Sequence, residues 1–543
     1  MEHISKSPLA IYQEHLERGE LAYQWSPEAN RAVFYPRVLC PFTGSERLEW
    51  RLSAGLGTVY ATTVTHPREG APYNVALIDI DEGFRLMSRV EDAAPEDVRI
   101  GMRVEFRVHR PGGDEPACPV FTPAAAAPTT SSPAGGEGSP KSREGVLNSP
   151  SPAGGGGSGR GPLHRGSVAI VGVAESDLGA VAADMSAIDL MAQGIHRALA
   201  DCGLALKDVD GLVCATAQSR TSGLNLAEYL GISPAFIDTT ILGGSSFMFH
   251  VAHAQAALQL GLCNVAVIAY GSTQRTIGRR HASVREYNPY ETPFRPFLPS
   301  TAYALAASRH MYQYGTTREQ LAAVAVAARQ WATLNPVAWE KKPLSVEDVL
   351  NARMISWPFT VRDICLVTDG GGAVVMTTPE RARSLQKPPV YVLGCGQAIT
   401  HANISSMPDL TVTGAAASGR QAYAMAGLGP AEIDVLELYD AFTINPILFL
   451  EDLGFCQKGE GGPFVEGGRI APGGALPVNT NGGGLSYCHP GMYGLFLLIE
   501  AARQLRGECG PRQVADCEVA LAHGNGGVLS SQSTVILGTQ AAL

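Results

Sequence analysis

Residues 196–213, HRALADCGLALKDVDGLV, return in altered form as RQAYAMAGLGPAEIDVLEL at 420–438. Farther along, EYLGI (228–232) returns as EDLGF (451–455), and GGSSFMFHVAHAQAALQLG (243–261) as GGGLSYCHPGMYGLFLLIEAARQLRG (482–507). The blocks keep their order in both copies, and each copy leads a Gly-rich turn into a helix. Chance likeness among helix–strand units does not reproduce order and content together, so the stretch reads as a duplicated unit. Such a unit packs about a pseudo-twofold axis. The two Gly-rich turns then face one cleft, where unpaired N–H groups and positive helix ends suit a carbonyl turning into an oxyanion.

The rest of 167–543 alternates buried-strand runs (VAIVGVAE, NVAVIAYGS, GAVVMTT, VYVLGCG, EVALAHGN) with helical stretches, the pattern of a layered α/β domain. Residues 123–166 are Pro, Gly, Ser and Ala with almost no large apolar side chain and read as a flexible linker. Residues 1–122 start with an amphipathic helix and then show about five short alternating strands, as in a small OB-type barrel. A chain of 543 residues exceeds what one core needs.

The net charge of −10 argues against a nucleic-acid binder. The N-terminus lacks the apolar stretch of a signal peptide, and no run approaches the length of a membrane span, so neither secretion nor a membrane partner is expected. Eleven cysteines without CxxC spacing point to reduced thiols in the cytoplasm.

ELYDAFT (437–443), LPVNTNGGGLSYCHPGMYG (476–494), VTDGGGAVV (367–375) and HGNGG (523–527) together resemble the thiolase superfamily, within it the thiolase-like branch of sterol-carrier and lipid-transfer proteins. PRVLCPFTGS, LSAGLGTVYATTVTH and IDEGF resemble the OB-fold partner that accompanies such proteins. The resemblance implies a duplicated, five-layered αβαβα thiolase fold over 167–543, a homodimer, and a coenzyme A thioester as substrate with no tightly bound cofactor.

The family's catalytic sulfurs are missing. The nucleophile position falls on Gly244, in GGSSF; His489 fits the histidine of the GHP motif, preceded by Cys488; and His523 stands at the second cysteine. Ser245 and Ser246 are open to two readings, substitute nucleophile or helix cap. Cys488 is open to being a displaced nucleophile or a small buried turn residue. Where thiolases carry Asn-Glu, this chain has Tyr439 and Asp440, and Tyr487 is a second phenol nearby. Either phenol can instead be a packed core residue.

Phenols and imidazoles without a thiolate suggest proton chemistry, and the arrangement resembles the thiolase-like aldolases of steroid side-chain breakdown. That resemblance implies retro-aldol cleavage of a β-hydroxyacyl-CoA with a bulky acyl group. Tyr439 and Tyr487 would form the acid–base pair, His489 and His523 would orient or stabilise the enolate with Asp440, and Gly244, Ser245, Ser246 and Gly526 would line the thioester. Two alternatives stand beside it: an acyltransferase with a non-Cys nucleophile, and a non-catalytic acyl-CoA or lipid carrier.

Arg275, Arg279 and Arg280 suit CoA phosphates, or equally a solvated loop. His250 and His253, at i and i+3, read as satisfied helix residues. In the accessory domain only Cys40 remains of the two Cys pairs that a zinc ribbon needs, so no metal is expected.

Overall fold

Ser7 caps α1 (Pro8–Glu17) by accepting the N–H of Ala10. This computed structural model describes residues 6–113, 115–125, 163–277 and 288–543. Most of the linker expected at 123–166, namely 126–162, lies outside the described residues, as do Arg279 and Arg280.

After α1, β1 (Ala22–Ser26), β2 (Arg31–Val33) and β3 (Glu49–Leu52) form a small antiparallel sheet. The strands β4 (Leu56–Thr65), β5 (Tyr73–Ile80), β6 (Phe84–Ser88), β7 (Arg103–His109) and β8 (Cys118–Pro123) then pair as β6-β5-β4-β7-β8. A bridge between Val90 and Phe121 draws the two ends together, so the five strands curl into the OB-type barrel. Strict alternation of buried and partly exposed residues along β4 marks one face as core and the other as surface.

The duplication is visible strand for strand. The nine-stranded sheet runs β11 (Phe236–Asp238), β10 (Gly211–Ala215), β12 (Val265–Ser272), β15 (Gly370–Thr377), β9 (Ala169–Glu175), β16 (Val390–Ile399), β19 (Ser531–Gly538), β18 (Val519–Gly526), β17 (Val435–Leu438). β9 and β16 meet at the pseudo-axis. Their strands are almost wholly buried, which is why they read as unbroken apolar runs.

The helices are α2 (Ala187–Cys202), α3 (Ser222–Leu230), α4 (Ser246–Leu260), α5 (Ser300–Tyr314), α6 (Arg318–Thr333), α7 (Val346–Leu350), α8 (Pro379–Ala382), α9 (Ala415–Ala426), α10 (Ile444–Asp452), α11 (Gly461–Phe464) and α12 (Gly494–Arg506). α2 covers one half-sheet on the outside and α9 the other, while α4 and α12 touch each other and both halves between them. The result is the five-layered αβαβα arrangement. Repeated sequence carries repeated caps: Gly203 and Gly427 end α2 and α9 at φ 75° and 64°, and Gly261 and Gly507 end α4 and α12 at 69° and 71°. Only glycine takes such left-handed φ without cost.

The barrel is joined to the second domain through β13 (Met354–Ser356) and β14 (Phe359–Thr360), which extend its sheet at Thr65 of β4.

Candidate active site

Tyr439 follows directly on β17, its N–H donating to the carbonyl of His523 on neighbouring β18 at 3.0 Å. From that strand end its ring crosses to the other half of the duplication. The ring fills the place where a side chain at Gly244 would begin: a Cβ built on Gly244 would lie 2.0 Å from Cε2 and 2.5 Å from Cζ of Tyr439. Carbon atoms need roughly 3.5–4.0 Å. A side chain at 244 and the Tyr439 ring therefore exclude each other, since there is room for only one of them.

The Tyr439 hydroxyl lies 3.0 Å from His489 Nε2 and accepts the N–H of Tyr493 at 3.1 Å. Tyr493 is the N-cap of α12, so the oxygen sits at the positive end of that helix. Of the two acceptors left for the phenol proton, His489 Nε2 is nearer than the Gly491 carbonyl at 3.4 Å. His489 is held by its own N–H on Thr368 Oγ1 at 3.0 Å, with its ring stacked over Tyr493.

Burial sets the protonation states. It lowers the His489 imidazole to about 4 and raises the Tyr439 phenol well above its ordinary value, against the opposing pull of the Tyr493 amide. At neutral pH the pair is a neutral phenol beside a neutral imidazole. His489 is 7% exposed and Tyr439 3%, so each is buried but for an edge.

Asp440 bonds neither Tyr439 nor His489, although a Cβ on Gly484 would touch both its Oδ1 and the His489 ring, at 3.2 and 3.1 Å. It accepts the N–H groups of Gly484 at 2.6 Å and Leu485 at 3.3 Å, beneath the Gly-rich π-helical turn Gly483–Tyr487. A Cβ on Gly483 would fall 2.0 Å from its Oδ2, so the glycine lets the turn close over the carboxyl. Burial raises Asp440 to about 7, with the two amides opposing.

Tyr487 is fully buried and its hydroxyl donates to Glu175 Oε1 at 2.9 Å. Glu175 is also held by both terminal nitrogens of Arg503. Of the two phenols singled out in the sequence, Tyr439 is the one brought to His489. His523 is buried, its Nε2 on Gln532 Oε1 at 2.8 Å and its Nδ1 on Thr534 Oγ1 at 2.9 Å, and burial lowers it to about 4.

Ser245 and Ser246 have no exposure. Ser245 bonds the Ser531 hydroxyl, and Ser246 accepts the N–H of Leu242 while donating to the Gly243 carbonyl; Ser245, the N-cap residue of α4, makes no side-chain bond to the first amides of the helix, so the cap expected of these serines does not form. Gly526 packs against the Leu242 carbonyl, 1.8 Å from where its Cβ would stand. Cys488 is buried and burial pushes its thiol up.

His250 donates to the Thr240 carbonyl and His253 pairs with Asp238 at 2.5 Å. Arg275 lies over the Trp339 ring and donates to the Val367 carbonyl. Cys40 stands without a second cysteine ligand, and among the described residues no group of three or more His, Cys, Asp or Glu side chains is placed to hold a metal ion. Among them, too, no helix is long and apolar enough to cross a membrane.

The sequence did not single out Tyr493, Glu175, Arg503 or Tyr303. Tyr493 was open to detection as the residue before the second Gly-led helix, whereas the other three come to the site from distant segments with no local signal.

A family profile for thiolase C-terminal domain-like sequences matches residues 396–539, and one for the C-terminal OB-fold domain of ChsH2 matches 50–109. The 17-hydroxy-3-oxo-4-pregnene-20-carboxyl-CoA lyase of Mycobacterium tuberculosis is 35% identical, over 63% of this chain and 92% of that protein. An acetyl-CoA acetyltransferase of Methanothermobacter thermautotrophicus is 34% identical over 66% and 96%, and the steroid side-chain-cleaving aldolase of Thermomonospora curvata 34% over 63% and 91%. Among solved structures, an Ltp2-ChsH2(DUF35) aldolase superposes with a TM-score of 0.64 at 32% identity, covering 70% of this chain and 100% of that one.

Proposed function

The chain belongs to the thiolase superfamily, with a thiolase-like domain and an OB-fold domain in one polypeptide, and from that premise we propose that it is a carbon–carbon lyase acting on a β-hydroxyacyl-CoA. Relatives named as lyase and aldolase, each about one-third identical, support a steroid or comparably bulky acyl group. The observation that carries the reading is the Tyr439 ring standing in the nucleophile's place with its hydroxyl on a neutral His489.

The step follows from those protonation states. The substrate's β-hydroxyl gives its proton to the Tyr439 oxygen while the phenol proton passes to His489 Nε2. The Cα–Cβ bond breaks, Cβ becomes a carbonyl, and the electron pair moves into the thioester enolate. The imidazolium then returns the proton to Cα, releasing a shortened acyl-CoA. Routing through His489 spares Tyr439 from standing as a free phenolate, and because burial opposes the imidazolium as well, the proton rests on His489 only until Cα takes it. Gly244, Ser245, Ser246 and Gly526 supply backbone around the thioester; Asp440, Tyr487 and His523 hold the turns that carry the pair. No cofactor is required by this scheme.

Acyl transfer is the second reading, since an acetyl-CoA acetyltransferase is among the relatives. It needs a nucleophile that Gly244 does not supply and that the buried Ser245, Ser246 and Cys488 do not present. The deciding experiment is turnover of β-hydroxyacyl-CoA and β-ketoacyl-CoA panels with product mass detection. Tyr439→Phe is expected to lower kcat on the β-hydroxy substrates by about 10²–10⁴, the usual contribution of a positioned acid–base group. A variant as fast as wild type, or a wild-type enzyme carrying a stable acyl adduct, would sink the lyase reading.

We also propose a homodimer through the edge strand β11, where Ile237 is 44% exposed, with Leu260 and Leu262 at the end of α4 about half exposed. A cytoplasmic setting is proposed on the eleven free cysteines.

A further inference from the structure

The barrel touches the second domain at α5 and β13. Strand β4 packs along α5 and pairs with β13. At this seam Thr65 bonds Thr301 of α5 at 3.3 Å, and Thr63 donates to the Trp357 carbonyl at 2.7 Å while bonding Ser356 at 3.0 Å. The ring of Tyr60 lies between two guanidiniums, Arg85 of the barrel at 3.4 Å and Arg309 of α5 at 4.3 Å. Both contacts are short enough for cation–π attraction.

From α5 the connection continues inward. Tyr303, two residues beyond Thr301, is buried and stacks on Phe442 at 4.3 Å. Phe359 of β14 lies 5.3 Å from Phe442. Phe442 belongs to the ELYDAFT segment, three residues after Tyr439. Barrel-bound elements thus contact the residue that anchors the turn behind the phenol.

The Tyr303 hydroxyl accepts Asn525 Nδ2 at 2.7 Å; Asn525 Oδ1 accepts Gln532 Nε2 at 2.7 Å; and Gln532 Oε1 takes His523 Nε2 at 2.8 Å. That chain secures the HGNGG strand. The His523 carbonyl receives the Tyr439 N–H, and the Asn525 carbonyl lies 2.7 Å from the position of a Gly244 Cβ. The alternative account of Tyr303 is a satisfied core phenol. Its place at the crossing of the stacking and hydrogen-bond routes, two residues along α5 from the seam contact Thr301, distinguishes it.

We propose that Tyr303 is a positioning residue for Tyr439, and that the barrel acts on the reaction by gripping α5 and β13–β14 and so fixing Tyr303 and Phe442. The inference rests on the lyase reading for its kinetic arm and on geometry alone for its structural arm. Productive geometry of this kind is sensitive to displacements of about 1 Å.

The test uses the full chain. Tyr303→Phe keeps the stack on Phe442 and deletes only the hydroxyl; Tyr60→Ala loosens the barrel seam far from any reacting group. Both are expected to lower kcat by roughly tenfold, the kinetic equivalent of one buried hydrogen bond, with KM within twofold. Both are also expected to speed amide hydrogen exchange across 439–443 and 522–527. Tyr303→Leu, which loses the stack as well, falls further than Tyr303→Phe.

Unchanged kcat in Tyr303→Phe, or seam loosening that raises exchange only within the barrel, would overturn the proposal. If no β-hydroxyacyl-CoA is turned over by wild type, the lyase reading fails, while the exchange pattern still decides whether the barrel governs the Tyr439 segment.

Discussion

Gly244→Ala adds a single methyl group where the Tyr439 ring already stands. Its carbon would stand 2.0 Å and 2.5 Å from two ring atoms of Tyr439 and 2.7 Å from the Asn525 carbonyl oxygen. Relief demands movement well over 1 Å, and the ring is pinned by contacts to His489 and the Tyr493 amide. Overpacking of this type costs about 1–3 kcal/mol, and losing two buried hydrogen bonds adds about 1 kcal/mol each, so a destabilisation of roughly 3–5 kcal/mol is expected. In a Tyr439→Ala background the same methyl enters vacated space, leaving only the Asn525 contact to relieve. Chemical denaturation of the wild type, both single variants and the double variant yields the coupling, which should reach about 2–3 kcal/mol. Additivity to within about 0.5 kcal/mol, or a Gly244→Ala variant as stable as wild type, would refute the claim that ring and nucleophile compete for one volume.

The same reasoning predicts that Gly244→Cys alone forms no acyl adduct with acyl-CoA in intact mass, whereas Gly244→Cys combined with Tyr439→Asn acquires room for one; an adduct on the single variant would contradict it. His250 is held at about 4 by burial, so the stability that its neutral form provides above its unfolded value of about 6.5 is lost as pH falls toward 4. Against His250→Gln, wild type should show a denaturation free energy steeper by about 1.4 kcal/mol per pH unit in that window, and equal slopes would count against a buried neutral imidazole. Glu175→Gln breaks the pair with Arg503 and should cost about 3 kcal/mol, while Tyr487→Phe, which spares that pair, should cost about 1 kcal/mol in the same assay. Equal costs would mean that the phenol, not the ion pair, carries the stability.

Much of the site was legible because its residues lie in repeated, Gly-punctuated blocks. ELYDAFT and SYCHP put Tyr439 and His489 in two blocks of the second copy, and the absence of sulfur at 244, in the first, was already visible. The division of labour between the phenols was not. Tyr487 and Tyr439 look alike along the chain, and only the direction of each side chain, toward Glu175 or toward His489, separates them. His523 and Asp440 were likewise recognisable by position, yet their ring nitrogens and carboxyl oxygens are taken up by Gln532 and Thr534 and by the amides of Gly484 and Leu485.

Local sequence determined the elements, the duplication and the chemical inventory, because hydrophobic period, capping glycines and residue type act over a few positions. It could not determine that the Tyr439 ring of one half fills the space beside Gly244 in the other, or that the barrel meets α5 beside Tyr303. Those are contacts between residues up to 249 positions apart, and steric exclusion at such a distance exists only once the chain has closed upon itself.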